Sequence, residues 1–167
     1  VLSAGLVGAI IWVSTPWPAA MVIRALFELD AKRTVTEMDN VLFSSITMNI
    51  QPLHLDEEWA SRTEHGTRVV NGVYVLGLVV GISVPETVLN TSLGVLGFDG
   101  VSFSRIVRHG DTIHVETEIT SKRESKSRPH AGLVGFEHRA YNQDDELVMT
   151  IRRVGLMLKD PDATTGG

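Results

Sequence analysis

The chain has 167 residues, 43% of them hydrophobic and 21% charged, with a formal net charge of -5 and no cysteine. The length suits one domain with at most a modest extension, and the composition is that of a globular protein with a packed core. The acidic balance argues against a nucleic-acid partner, which a basic face would serve. The lack of thiols excludes a disulfide framework, a thiolate metal site and a cysteine nucleophile.

An apolar run, Leu6 to Val13, comes first and is followed by Pro18-Ala19-Ala20, loosely like the exit of a signal peptide. The run falls far short of the roughly 20 apolar residues that cross a bilayer. The first charge is Arg24, so the basic start of a secretory signal is missing. Residues 1–26 therefore read as an N-terminal extension packed on the domain, or as residues upstream of the natural start, in preference to a targeting or membrane segment. A cytoplasmic protein is expected. Residues 27–159 are assigned to one domain, and the polar stretch 160–167 to a frayed tail.

Helical patterns precede strand patterns. Thr36-Glu37-Met38-Asp39 resembles a capping box with Asp in place of Glu. It opens a helix to about Met48 with an apolar stripe of Met38, Val41, Leu42 and Ile46. A polar turn with Pro52 follows. Asp56 then starts a short helix whose first turn holds Glu57 and Glu58, where the helix dipole favours them, and Gly66 is a plausible stop. The segment Gly72 to Ser83 is apolar on nearly every side, which predicts a helix buried all round, although periodicity alone leaves a buried strand open. Gly77 and Gly81 would let a strand backbone approach one face of it. From about Leu89 the pattern is β. Val101–Val107 is one strand, His109-Gly110-Asp111 a turn, and Ile113, Val115, Thr117 and Ile119 alternate with polar residues in a second. Leu133–Tyr141 and Leu147–Leu158 are two more, and the glycines from Gly94 to Gly100 read as bends in a curved sheet. One apolar helix followed by a long antiparallel meander predicts an α+β fold in which a sheet wraps the helix.

The stretch richest in chemistry is Asn49-Ile50-Gln51-Pro52-Leu53-His54-Leu55-Asp56, continued by Val69-Val70-Asn71-Gly72. It resembles the MaoC-like family of hydratases and dehydratases, whose pattern is an acid, two residues, Pro, an aliphatic residue and His, with Asp two further on and a His-Gly pair at the start of the central helix. Pro52, Leu53, His54 and Asp56 match, and Asn71-Gly72 stands where His-Gly is usual. The likeness runs from about Phe27 to Leu158. The strings Arg33 to Glu37, Gln51 to Asp56 and Ser121 to Pro129 resemble a narrower branch that contains mesaconyl-CoA and itaconyl-CoA hydratases. The resemblance implies a hotdog fold, an antiparallel sheet around a central helix. It also implies reversible addition of water to an α,β-unsaturated, branched dicarboxylic CoA thioester, with no cofactor beyond the CoA carried by the substrate. A homodimer or higher homo-oligomer with its site near the subunit interface is a further implication.

That chemistry needs an acid–base group and donors for an enolate oxygen. An imidazole titrates near neutral pH in its unperturbed state, so His54 suits the first task. The amide of Gly72, at a helix N-terminus, suits the second, and Asn71 is placed to cap that helix or touch substrate. The residue five before the histidine is an aspartate in the wider family and is Asn49 here. An amide does not ionise, so Asn49 is assigned to orienting a water. Either His54 makes both proton transfers, or another carboxylate assists, or the protein does not hydrate. A hotdog thioesterase and a non-catalytic acyl-CoA-binding subunit are the rival readings.

Lys122, Arg123, Lys126 and Arg128 form a basic stretch that is either a solvated hairpin end or a site for CoA phosphates or a substrate carboxylate. His114 and His138 are expected on outward-facing strand positions, and His65 at a helix end. His109, His114 and His138 are the histidines that would suggest a metal, but no close pair with carboxylates has metal-ligand spacing, so no metal is expected. There is no Gly-x-Ser-x-Gly elbow to support a triad hydrolase.

Overall fold

The computed structural model describes residues 25–160; the expectations for the run Leu6 to Val13 and for the tail beyond Asp160 lie outside the described residues. In chain order the elements are β1 (Ala25–Glu28), β2 (Arg33–Thr34), α1 (Glu37–Ile46), α2 (Pro52–Leu55), α3 (Glu57–Ser61), α4 (Gly72–Thr87), β3 (Ser92–Phe103), β4 (Thr112–Glu124), β5 (Ala131–Tyr141) and β6 (Leu147–Leu158). The sheet is antiparallel with strand order β1-β4-β5-β6-β3, and β2 pairs with the start of β4. Its inward residues, among them Ile113, Val115, Ala140, Met149 and Ile151, meet Val75, Val79 and Ile82 of α4 in one core. This is the hotdog arrangement, with α4 as the wrapped helix.

The capping box forms as expected: the Thr36 hydroxyl accepts from the Asp39 amide at 3.2 Å, and the Asp39 carboxylate accepts from the Thr36 amide at 2.8 Å. Three bulges in the β3–β6 ladder each close on a glycine of β3, Gly94, Gly97 or Gly100, so these residues do bend the sheet.

Several expectations are corrected. The apolar stripe of α1 faces outward, with Met38 72%, Leu42 57% and Ile46 71% exposed, while Asn40 and Ser44 form its buried side. Pro52 begins a one-turn helix, not a turn, with proline at a first-turn position where no amide is missed. The strand expected at Val101–Val107 is the end of β3, which starts at Ser92 and stops at Phe103. Nothing lies within 4 Å of a Cβ built on Gly77 or Gly81, so neither admits a strand; with Val73 they form an exposed side of α4, which is therefore not buried all round. His138 is buried, because the inward face of β5 runs Val134, Phe136, His138, Ala140. Lys122 is buried too: a register shift between Ile119 and Ser121 reverses the alternation of β4 and turns the lysine inward. Among the described residues, no helix is long and apolar enough to cross a membrane.

Candidate active site

His54 sits in the single turn of α2, half-buried. Its own amide donates to Gln51 O at 3.0 Å, and the Val69 amide donates to Leu53 O at 3.1 Å, which ties the turn to the segment leading into α4. The ring is held by the same segment: Nδ1 donates to the carbonyl oxygen of Val69 at 3.0 Å. A carbonyl can only accept, so the proton is on Nδ1 and Nε2 keeps the basic lone pair.

A cavity of about 340 Å³ is lined by His54 together with Gly72, Phe103, Ser104, Arg105 and an apolar set that includes Val75 and Met149. The Gly72 amide has no acceptor among the described residues, so the first turn of α4 presents a free N–H and the positive end of the helix to this space. An imidazole with a free ring lone pair and an unpaired backbone N–H thus border one small, mostly apolar chamber. Phe103 lies against Gly72: a Cβ built there would stand 2.7 Å from the ring's Cε1. The glycine is needed for the aromatic ring to seat.

The other sequence candidates divide. Asn71 is buried; its Oδ1 accepts from the Val73 amide at 3.0 Å and its Nδ2 donates to Ser44 Oγ at 3.3 Å, so it is the N-cap of α4. Asn49 is not among the residues that line the cavity. Met48 takes a left-handed φ of 57° at the end of α1, and the following turn brings Asn49 Oδ1 to within 3.4 Å of the Gln51 amide. Arg123, Lys126 and Arg128 line a separate open cleft of about 770 Å³ with Leu96, Leu133 and Leu156. Lys122 belongs to the interior, where burial lowers its pKa.

Sequence reasoning missed Ser104, Arg105 and Asn40. Ser104 and Arg105 follow β3 in an irregular stretch with no periodicity to mark them. Arg105 pairs with Glu146 at 3.1 Å while lining the cavity. Asn40 is 0% exposed and lies behind the site, with Nδ2 3.0 Å from His54 O and Oδ1 2.9 Å from the Asn71 amide. His109 contacts the same Asn40 amide at 3.0 Å. Burial, and then the charge of Arg68, hold the His109 pKa below its ordinary value, against a smaller pull from Glu37 and Glu57. His114 lies on the outer face, stacked on Tyr141. Among the described residues no group of three His, Cys, Asp or Glu is placed to hold a metal ion.

Comparison with known proteins fits this arrangement. The family model described as MaoC like domain matches residues 20–142. The 3-hydroxybutyryl-CoA dehydratase of Methylorubrum extorquens is 36% identical over 92 residues, 53% of this chain and 55% of that protein. The mesaconyl-CoA hydratase of Haloarcula marismortui is 30% identical over 124 residues, 72% of this chain and 34% of that one. The chain therefore spans about half, or less, of the length of these relatives. A solved structure described as a monoamine oxidase regulatory protein from Archaeoglobus fulgius is 30% identical, with a TM-score of 0.74 over 84% of this chain and 93% of its own. RV0216 of Mycobacterium tuberculosis, described as having a double hotdog fold, shares the fold with a TM-score of 0.74 at 22% identity, over 87% of this chain and 45% of its own.

Proposed function

The chain belongs to the MaoC-like domain family, and we propose that it adds water reversibly to an α,β-unsaturated acyl-CoA thioester. The observation that supports this most directly is the shared cavity of His54 and Gly72, with the imidazole fixed through Nδ1 so that Nε2 is the basic atom. In the hydration direction Nε2 takes a proton from water as the water oxygen bonds to the β-carbon. The electron pair of the double bond moves onto the thioester oxygen, and the resulting enolate is held by the Gly72 amide and the N-terminus of α4. Nε2–H then returns the proton to the α-carbon, the carbonyl reforms, and His54 is neutral again. One residue makes both transfers, which suits a site whose family aspartate is replaced by Asn49.

The finer reading is a short, branched dicarboxylic acyl group of the mesaconyl or itaconyl kind. Arg105, a cation in the cavity lining, supports it as a partner for a distal carboxylate. A homodimer is proposed through β3, the last strand of the sheet order, which exposes Val95, Leu96, Phe98, Val101 and Phe103. Leu96 borders the basic cleft and Phe103 the cavity. Antiparallel pairing of two β3 edges would therefore carry Arg123, Lys126 and Arg128 of one copy toward the cavity of the other, where CoA phosphates could be met. Light scattering on the eluting protein reports the mass that checks the dimer.

The test of function is incubation with a panel of unsaturated acyl-CoA esters, followed by mass. Gain of one water supports hydration; release of free CoA, or no change with any ester, overturns it. His54→Ala should lower turnover by roughly 100- to 10,000-fold, the usual loss for an acid–base group.

A further inference from the structure

Burying an amide side chain is costly unless every polar atom finds a partner, yet α1 turns Asn40 and Ser44 inward and leaves Met38, Leu42 and Ile46 in solvent. Asn40 accounts for this inversion. Its Nδ2 lies 3.0 Å from His54 O, 3.4 Å from Val69 O and 3.0 Å from His109 Nε2, and its Oδ1 accepts from the Asn71 amide at 2.9 Å. The orientation of the amide is fixed by these partners, since two are carbonyls that can only accept and one is a backbone amide that can only donate.

Each partner belongs to a different part of the site. His54 O is the backbone of the acid–base residue. Val69 O is the carbonyl that receives the proton on Nδ1 of the His54 ring. Asn71 N immediately precedes Gly72. One side chain that does not line the cavity is therefore bonded to both halves of the chemistry, the imidazole and the start of α4. We propose that Asn40 is a positioning residue that holds the His54 imidazole and the Gly72 amide at a fixed separation, through the carbonyl of Val69 and the amide of Asn71. This rests on the hydration reading for its kinetic consequence and is independent of it for its structural one. His109 extends the device: its Nε2 must accept from Asn40, so the ring is neutral with its proton on Nδ1. With the carbonyls of His54 and Val69, three acceptors share the two hydrogens of one amide.

Asn40→Asp and Asn40→Ala separate positioning from packing. Asp keeps the volume and the acceptor for the Asn71 amide but loses both donors; Ala loses everything. Misplacing reacting groups by about 1 Å costs about 100-fold. Both variants should therefore lose kcat on that order while KM for the acyl-CoA ester stays near the wild-type value. The imidazole reports the same thing without substrate. Long-range proton–nitrogen NMR should show His54 as the Nδ1–H tautomer in the wild type and as a mixture in both variants. Should the Asn40 variants not fold, His109→Leu and His109→Gln replace them. Gln retains an acceptor and should keep turnover and tautomer, whereas Leu should lose both. Folded Asn40 variants with kcat within about threefold of wild type, or with an unchanged tautomer, overturn the proposal; so does His109→Leu behaving as His109→Gln. If the wild type turns over no ester, the hydration reading falls by itself and the tautomer alone decides the role of Asn40.

Discussion

The ring of Phe103 rests on Gly72, so closely that a Cβ on the glycine would stand 2.7 Å from Cε1. The residue that opens α4 is thus also the floor under an aromatic side chain of the edge strand. Gly72→Ala should cost little stability, because alanine is the better helix former and Phe103, 58% exposed, can swing away. Activity should suffer more, since the displaced ring moves into or out of the cavity that it lines. A fall in kcat/KM of about 10-fold or more is expected for Gly72→Ala, and the double variant with Phe103→Leu should recover part of it. Additive losses in that cycle would show that the two residues act separately.

Asn49→Ala tests whether the residue that replaces the family aspartate handles water. Its side chain stands outside the cavity lining and faces the Gln51 amide at 3.4 Å. Turnover is therefore expected to stay within about threefold of wild type, the range of an ordinary surface substitution. A loss approaching that of His54→Ala would return Asn49 to the water-orienting role that the motif implies.

The fold could be read from the sequence where one rule of burial governs a whole element. The alternation of Ile113, Val115, Thr117 and Ile119 left one solution, whereas the unbroken apolarity of Gly72 to Ser83 left helix and buried strand both open and did not reveal the exposed side along Val73, Gly77 and Gly81. His54 and Gly72 could be singled out because each stands in a short motif, Gln51 to Asp56 for one and Asn71-Gly72 for the other. Asn40 was not, because the apolar stripe of α1 marks the face that packing leaves outside, and nothing in a helical repeat announces that the polar face is the buried one. Lys122 was misplaced by a single register shift after Ile119, which reverses inside and outside for the rest of β4. Ser104 and Arg105 lie past the end of β3, where no period exists and only the tertiary fold brings them beside His54.

Arg105 should separate substrates by their distal charge. It lines the cavity and is tethered to Glu146 at 3.1 Å, and Glu146 is itself held by Asn142 Nδ2 at 3.0 Å. Arg105→Ala should raise KM for a dicarboxylic unsaturated acyl-CoA by about 10- to 100-fold, in the range of a lost charge-assisted hydrogen bond. A monocarboxylic ester of the same length should be hardly affected. Equal losses for both esters would assign Arg105 to the CoA moiety or to loop structure.

Stability should depend on pH through a histidine that takes no part in the proposed chemistry. His138 is 0% exposed; its Nε2 accepts from Arg153 Nε at 2.9 Å, and its Nδ1 lies 2.8 Å from Thr117 Oγ1. Burial, and then the neighbouring Arg153 charge, pull its pKa from 6.5 down to about 3. Between those two values the unfolded chain binds a proton that the folded chain refuses. Stability therefore rises with pH across that window and is lost as the pH falls from about 6.5 toward 3, by at most about 1.4 kcal/mol per pH unit for one such site. His109, also lowered chiefly by burial, acts with the same sign. The depressed carboxylates Asp39, Glu57 and Glu137 give up their contributions at lower pH, from the usual carboxylate range downward. Urea unfolding at pH 6.5 and pH 5 consequently isolates the histidines, and roughly 1.5 kcal/mol of the difference should belong to His138. His138→Gln supplies an acceptor for Arg153 and a donor for Thr117 without titrating, so it should remove that share of the pH dependence. An unchanged slope in His138→Gln would mean that the buried imidazole is not what the acid attacks.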